Sequence, residues 1–405
     1  MIQQYPNQIQ FDKNVTEFPT MLHRDIYMRA LLLVPPEISL AEIAKEAPEM
    51  AESGREFYHF MLELYGDMFC NPEIYGMSPG AYEDMAQYRK WSYMRLRVKN
   101  VGDYFDLSET QIASYVRFIH EMALFCHMSE GCFYLTYDAF EKAKDLKRVT
   151  LVYKQKLLLP IQMVMKNLER VGLKLQDDGE KIQVICKKFP NMFLAASALR
   201  KTVEDTIKKP VSKKLKYYFG EYMDTLEFRL LNGPYYPDFE DHIRHLSDEN
   251  REPVMALDAL AKEYKLRPNY KASQYGFEYM YKGKYVMTVW TLGFYHEPTR
   301  QHNTWRRYVR CRVAGPVNSS YLEQVEKEGD DFKRYFMRHL NRCNGCTPAH
   351  LNSQNAIKKI FGRSIRFCSA DIATEIAGLT INDLPYIRRF IEMRIREIEG
   401  EKIKN

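Results

Sequence analysis

The chain has 405 residues, a net charge of +6, 45% hydrophobic residues and 28% charged residues. This is the balance of a folded, water-soluble chain, not a disordered one, and the length favours two domains over one core. The longest apolar run, ALLLVPP at 30–36, is too short for a bilayer span, and the opening MIQQYPNQIQFDKNV lacks the basic-then-apolar profile of a leader.

Eight cysteines, at 70, 126, 132, 186, 311, 343, 346 and 368, are scattered through the chain. They do not form the dense framework of a secreted disulfide scaffold, so a reducing, cytoplasmic setting is expected. The charge is unevenly spread. Residues 267–405 carry 24 Lys+Arg against 14 Asp+Glu, a balance of +10, and residues 1–266 carry 35 against 39, a balance of −4. A basic C-terminal third points to an acidic partner, with nucleic acid the commonest one, although many basic domains bind nothing acidic.

Residues 38–66 have helical periodicity, with Ser39 three residues before Glu42 in capping-box spacing and Pro48 dividing or kinking the segment. Helices are also expected over 78–100 and 108–130, the latter with apolar residues at Ile112, Tyr115, Ile119 and Met122. A further helix is expected from Tyr153, with Pro160 either inside it or at a helix start, and Gly172 ends it. It runs into LKLQDDGEKIQVICKK, a hairpin with an Asp-Gly turn between alternating apolar residues. A helix followed at once by such a ribbon, near 150–190, resembles the second half of a winged-helix unit. An ordinary β-ribbon packed on a helical domain is the plainer reading.

Residues 197–232 read as helix broken at Pro210, with lysines at 208, 209, 213, 214 and 216 that a solvated face explains equally well. Residues 248–269 give one more helix, with Pro268 as its stop. The expected division is therefore 1–268, mainly helical with a β-ribbon, and 269–405, a smaller antiparallel-sheet α+β domain. The fold class expected for the whole chain is α+β.

Beyond Pro268 the stretch YGFEYMYKGKYVMTVWTLGF (275–294) reads as two strands about a Lys-Gly turn, and WRRYVRCRVAG (305–315) as a third. On that third strand Val309, Cys311 and Val313 share one face and Arg306, Tyr308, Arg310 and Arg312 the other. Three arginines beside a tyrosine suit phosphates and stacked bases, or simply the wet side of a half-buried sheet. An amphipathic helix over 331–342 then leads to Cys343.

RCNGCTPAH holds Cys343 and Cys346 in a C-x-x-C, with His350 four residues on and Cys368 downstream. Two such sulfurs reach one ion, and the four residues are the donor set of a structural Cys3His zinc site. A redox pair is the second reading, since Thr347-Pro348 starts a helix just after the thiols; redox motifs of this kind, however, follow a strand. Free thiols with no special role are the third.

The ending, from CNGC to IFGRSIRFCSADIATEIAGLTINDLPYIRRFIEMRI, resembles the C-terminal module of uncharacterised bacterial, Firmicutes-type proteins. The matching residues are Cys343, Cys346, Gly362, Arg363 and Cys368. Such modules often carry another cysteine soon after the C-x-x-C, and the resemblance implies that His350 stands in for it or that the site has decayed. It brings no activity with it.

Two weaker metal candidates are His296, Glu297 and His302 in HEPTRQH, and His242 with His245 in DFEDHIRHLSDE; Cys126, His127 and Cys132 read as buried thiols near a helix end. No phosphate-binding glycine loop and no nucleophile motif is present. The functional expectation is a non-enzymatic protein for nucleic acid or another polyanion, with a structural zinc and no membrane partner. The alternatives are an enzyme or small-molecule sensor with a pocket between the domains, and an interaction scaffold.

Overall fold

The computed structural model describes residues 11–77, 107–129, 131–144, 160–208, 223–273, 276–291, 305–306, 308–316, 320–340, 357–366 and 371–400. It has helices and antiparallel sheets in an α+β arrangement. Backbone contacts divide it into two compact units between Tyr235 and Tyr236, with Lys13–Glu17 grouping with the second.

The first unit begins with α1 (Met21–Leu32), capped by the Thr20 hydroxyl, which accepts from the His23 backbone. Residues 36–46 form two short helical turns, and α2 (Pro48–Cys70) starts at Pro48. The helix expected over 38–66 is thus divided at Pro48, one of the two outcomes the proline allowed. Pro48 has no N–H to continue a preceding helix but suits a first turn. Ser39 caps nothing downstream; its hydroxyl instead donates back to the Val34 and Pro35 carbonyls. Along α2, Ala51, Gly54, Phe57, Met61, Leu64 and Met68 form the buried stripe. At Gly54 a Cβ would lie 2.7 Å from Leu40 Cδ1, so a larger residue there would have to push the Leu40 side chain aside.

Next come α3 (Leu107–Phe125), β1 (His127–Ser129), β2 (Cys132–Leu135) and α4 (Tyr137–Lys144). The helix expected over 108–130 thus stops at Phe125, and Gly131 (φ +75°) turns the chain into a hairpin instead. After it follow α5 (Ile161–Glu169), β3 (Leu173–Asp177), β4 (Ile182–Cys186) and α6 (Phe193–Lys208). Strands β3 and β4 pair about the Asp-Gly turn as the alternation requires. They do not stand alone: β4 also pairs with β2, giving an antiparallel sheet of order β1-β2-β4-β3.

Helix α3 is the centre of this unit, with Tyr115, Phe118, Ile119, Glu121, Met122 and Ala123 all at 0% exposure. The buried Glu121 carboxylate accepts from Arg200 of α6 at 2.7 Å, which offsets the cost of taking a charge out of water. Ser53 of α2 accepts from the Ala195 backbone (2.8 Å) and donates to the Asn191 carbonyl (2.6 Å), fixing the start of α6.

The second unit opens with the short α7 (Phe239–Ile243) and α8 (Asp248–Glu263). Its sheet comprises β5 (Arg267–Ser273), β6 (Gly276–Tyr281), β7 (Lys284–Trp290), β8 (Arg310–Pro316) and, after helices α9 (Tyr321–Glu326) and α10 (Asp330–His339), a later strand. The hairpin β9 (Ile357–Ile360) and β10 (Arg363–Arg366) precedes that strand, β11 (Asp371–Ala377), and α11 (Leu384–Glu399) closes the chain's described part. The five-stranded order is β11-β8-β7-β6-β5, antiparallel throughout.

Helix α8 belongs with this sheet. Its Val254, Leu257, Leu260 and Ala261 share a core with Phe277, Tyr279, Met287, Val289, Cys311, Val313, Phe336, Ile387, Phe390 and Ile391. Asp258 of α8 also accepts from the Tyr279 hydroxyl at 2.6 Å. The division therefore falls before α7, whereas the sequence placed it at Pro268; that proline lies within β5 and stops no helix there, since α8 has already ended at Glu263. The Lys282-Gly283 turn joins β6 to β7 with positive φ at both residues (+47° and +76°), the conformation a two-residue hairpin requires.

Candidate nucleic-acid interface

The arginine-rich stretch 305–315 is not one strand. Trp305–Arg306 is a separate two-residue strand outside the five-stranded sheet, and β8 begins at Arg310. Val309, Cys311 and Val313 do face the core, at 0% exposure. Arg310 and Arg312 lie on the opposite face, and Tyr308 precedes the strand, half-buried. The side chain of Arg306 lies outside the described residues.

That opposite face is balanced in charge. Arg310 is 8% exposed; its guanidinium sits 4.0 Å from the Trp290 ring centre and pairs with Glu375 at 2.7 Å. Arg312 lies in a cross-strand row between Thr288 and Glu375, with Glu278 next in the row. Two arginines thus share the face with two carboxylates. A phosphate approaching Arg310 has to displace Glu375 from a guanidinium already stacked on tryptophan, and both carboxylates repel it.

Cys343, Cys346, His350 and Cys368 all lie outside the described residues. Their flanks are described: α10 ends in the backbone bridge Leu340–Thr374, and β11 starts at Asp371. Cys343 is three residues past Leu340, and Cys368 three before Asp371.

Among the described residues no three His, Cys, Asp or Glu side chains gather as a metal site. His242 is 1% exposed, stacks on Tyr270 and hydrogen-bonds the Tyr270 carbonyl at 3.0 Å; His245 is 3% exposed. The segment 296–302 lies outside the described residues, as does the helix expected over 78–100. Of the lysine run, Lys208 ends α6 and pairs with Glu204 and Asp205, while 209–216 are outside the described part. Cys126 is buried and Cys132 half-buried, and among the described residues no metal-ligand group surrounds either.

The helix–ribbon module of the first unit holds a different surface. Val164, Asn167 and Leu168 of α5 face inward, while Gln162, Met163, Lys166 and Glu169 face solvent. Inside, the Asn167 amide donates to the Tyr115 hydroxyl of α3 (2.7 Å) and to the Ile74 carbonyl (2.8 Å). Just after α5, Arg170 is held in a two-pronged pair with Asp67 (2.7 and 2.9 Å). These bonds set the rotation of α5 about its axis and so which side chains it presents.

The ribbon's tip is acidic. Asp178 accepts from the Glu180 and Lys181 backbone N–H groups, and the Lys181 and Glu180 bonds hold its carboxyl below the usual range. Asp177 is likewise held low, first by the Tyr137 hydroxyl and then by the Gly179 N–H. Lys181 lies over the Tyr134 ring at 3.7 Å.

Strand β2 was missed in the sequence; the available signal was the alternation of Phe133 and Leu135 after Gly131. In comparisons with known proteins, no family model, curated protein or solved structure matches the chain. The class follows from fold and site alone: an α+β protein of two compact units, the first carrying a helix–ribbon module. Among the described residues no helix is long and apolar enough to cross a membrane.

Proposed function

We propose that the protein binds nucleic acid without catalysing a reaction, through the helix–ribbon module of its first unit. One observation carries this reading: chain order and strand order taken together. The module runs α3, β1, β2, α4, α5, β3, β4; β1 and β2 form a hairpin between the first two helices, and β2, its second strand, pairs with β4, the last strand. That is the connectivity of a winged-helix unit, in which the helix before the ribbon is presented to nucleic acid. The segment 145–160 between α4 and α5 is longer than the tight turn of a simple helix-turn-helix.

The +10 balance of residues 267–405 supports the reading as a long-range attraction for a polyanion. The second unit enters in this way rather than through a dedicated arginine face, because Arg310 is already paired. A structural zinc held by Cys343, Cys346, Cys368 and His350 is part of the proposal; its role is to tie the end of α10 to the start of β11.

Binding of labelled DNA and RNA across a salt series tests the function, with heparin as competitor. Phosphate-driven binding weakens steeply as salt rises. A flat response, or no binding, sinks it. Elemental analysis of untagged protein beside Cys343→Ser tests the zinc; equal metal content in both, or none in either when chelator is omitted, removes that part.

A further inference from the structure

The exposed face of α5 is short and specific in its chemistry. Gln162, Met163 and Lys166 occupy its first two turns, and the only carboxylate on that side, Glu169, is at the C-terminal end. Lys166 makes no ion pair among the described residues, whereas Arg170 is committed to Asp67. The chain leading into the helix is basic: residues 145–166 carry Lys147, Arg148, Lys154, Lys156 and Lys166 against Asp145 alone. The ribbon tip has the opposite sign, with Asp177, Asp178 and Glu180 against Lys181. Backbone and tyrosine hydrogen bonds keep Asp177 and Asp178 ionised near neutral pH.

We propose that this module reads double-stranded DNA through α5 alone, with Gln162, Met163 and Lys166 in the major groove and the acidic ribbon tip held off the phosphates. The inference rests on the nucleic-acid reading above and narrows it. An α-helix fits the B-form major groove, and the three side chains match what the groove displays. Glutamine pairs with adenine N6 and N7, lysine with guanine O6 and N7, and the methionine thioether meets a thymine methyl. The deep, narrow major groove of an RNA duplex admits no helix, which is why the occupant is DNA. A ribbon tip with three carboxylates has no favourable position against a phosphate backbone, so the helix does the reading without it.

The test uses the full chain and a DNA duplex library with a randomised centre, from which a preferred sequence is selected. Single-stranded DNA, an RNA duplex and heparin are compared at the same salt. The expected result is preference for duplex DNA, with Gln162→Ala and Lys166→Ala each weakening binding to the selected duplex roughly 5- to 150-fold and relaxing base preference at one position. Both residues are exposed, so unchanged thermal melting accompanies the loss. Lys181→Ala at the ribbon is expected to leave the salt dependence as it is.

If the wild-type chain binds none of these polyanions, the inference and the nucleic-acid reading fall together. If it binds duplex DNA while both α5 variants bind as tightly and as selectively as wild type, the inference falls and the broader reading stands. Preference for single strands, RNA or heparin has the same consequence. A salt slope lowered by about one in Lys181→Ala shows a ribbon–phosphate contact and overturns the claim that the helix acts alone.

Discussion

Asn167→Ala tests whether the packing of α5 depends on one buried amide. The side chain is 4% exposed and donates both amide hydrogens, to the Ile74 carbonyl at 2.8 Å and the Tyr115 hydroxyl at 2.7 Å. Losing two such bonds costs about 1 kcal/mol each net, so a loss of roughly 2 kcal/mol is expected. For a domain of this size each kcal/mol lowers the melting temperature by about 2–4 °C.

Urea unfolding followed by far-UV circular dichroism measures the loss, with Glu169→Ala on the exposed face as the control. The control is expected to stay within about 0.5 kcal/mol of wild type. An Asn167→Ala variant equally close to wild type refutes the reasoning. Asn167→Asp sharpens the test, since it keeps the volume but aims a carboxylate at the Ile74 carbonyl. Burial raises the pKa of that acid in the folded state, so its deficit grows as pH rises above about 4 and shrinks below it.

Burial pushes the thiols of Cys126 and Cys311 up to about 12, so a thiol reagent at mildly alkaline pH is expected to modify exposed Cys70 and spare both until denaturant is added. Peptide mass mapping reads this, and native labelling of Cys311 contradicts it. Burial works against ionisation of Asp67, yet hydrogen bonds from Arg170 and Tyr75, the Arg170 charge and Asn71 together hold its carboxyl below the usual range. That contribution is full above the ordinary carboxylate range and is lost as pH falls through the lower folded value. The stability gap between wild type and Asp67→Asn should therefore close below about pH 4, and a gap independent of pH refutes this. Gly276→Ala places a Cβ 2.5 Å from the Val289 carbonyl oxygen and 3.2 Å from Trp290 Cα, both backbone atoms. A cost of about 1–3 kcal/mol is expected in thermal melting, and an unshifted melt shows that the β6–β7 pair gives way freely. Arg310→Ala is expected to destabilise the second unit through loss of the Glu375 pair and the Trp290 contact while leaving the salt dependence of DNA binding unchanged; a shallower salt slope instead makes Arg310 a phosphate contact.

Several local features were legible without the structure because their causes are local. The α+β class, the Asp-Gly and Lys-Gly hairpins and the inward set Val309, Cys311 and Val313 all follow from periodicity and turn chemistry. Errors came where a local signal had a competing outcome. Helical spacing ran past Phe125 until Gly131 turned the chain into β1 and β2, and the Ser39 spacing imitated a cap that Pro48 made irrelevant. The break at Pro268 looked like a domain boundary, yet the apolar stripe of α8 finds its partners on the following sheet.

The sequence by itself determined which segments are amphipathic, where they turn, and how charge divides along the chain, since each depends on residues within a few positions of one another. Only the tertiary structure decided what those segments face. It set Arg310 against Glu375 and Trp290, where alternation showed only an arginine-rich face. It also joined β2 to β4 and so made an isolated ribbon part of a sheet. Both outcomes depend on distant partners: Glu375 is 65 positions from Arg310, and the β2–β4 pairs Leu135–Ile182 and Phe133–Val184 are 47 and 51 positions apart. Pairing over such distances is chosen by the packing of the whole core, which no short window of sequence contains.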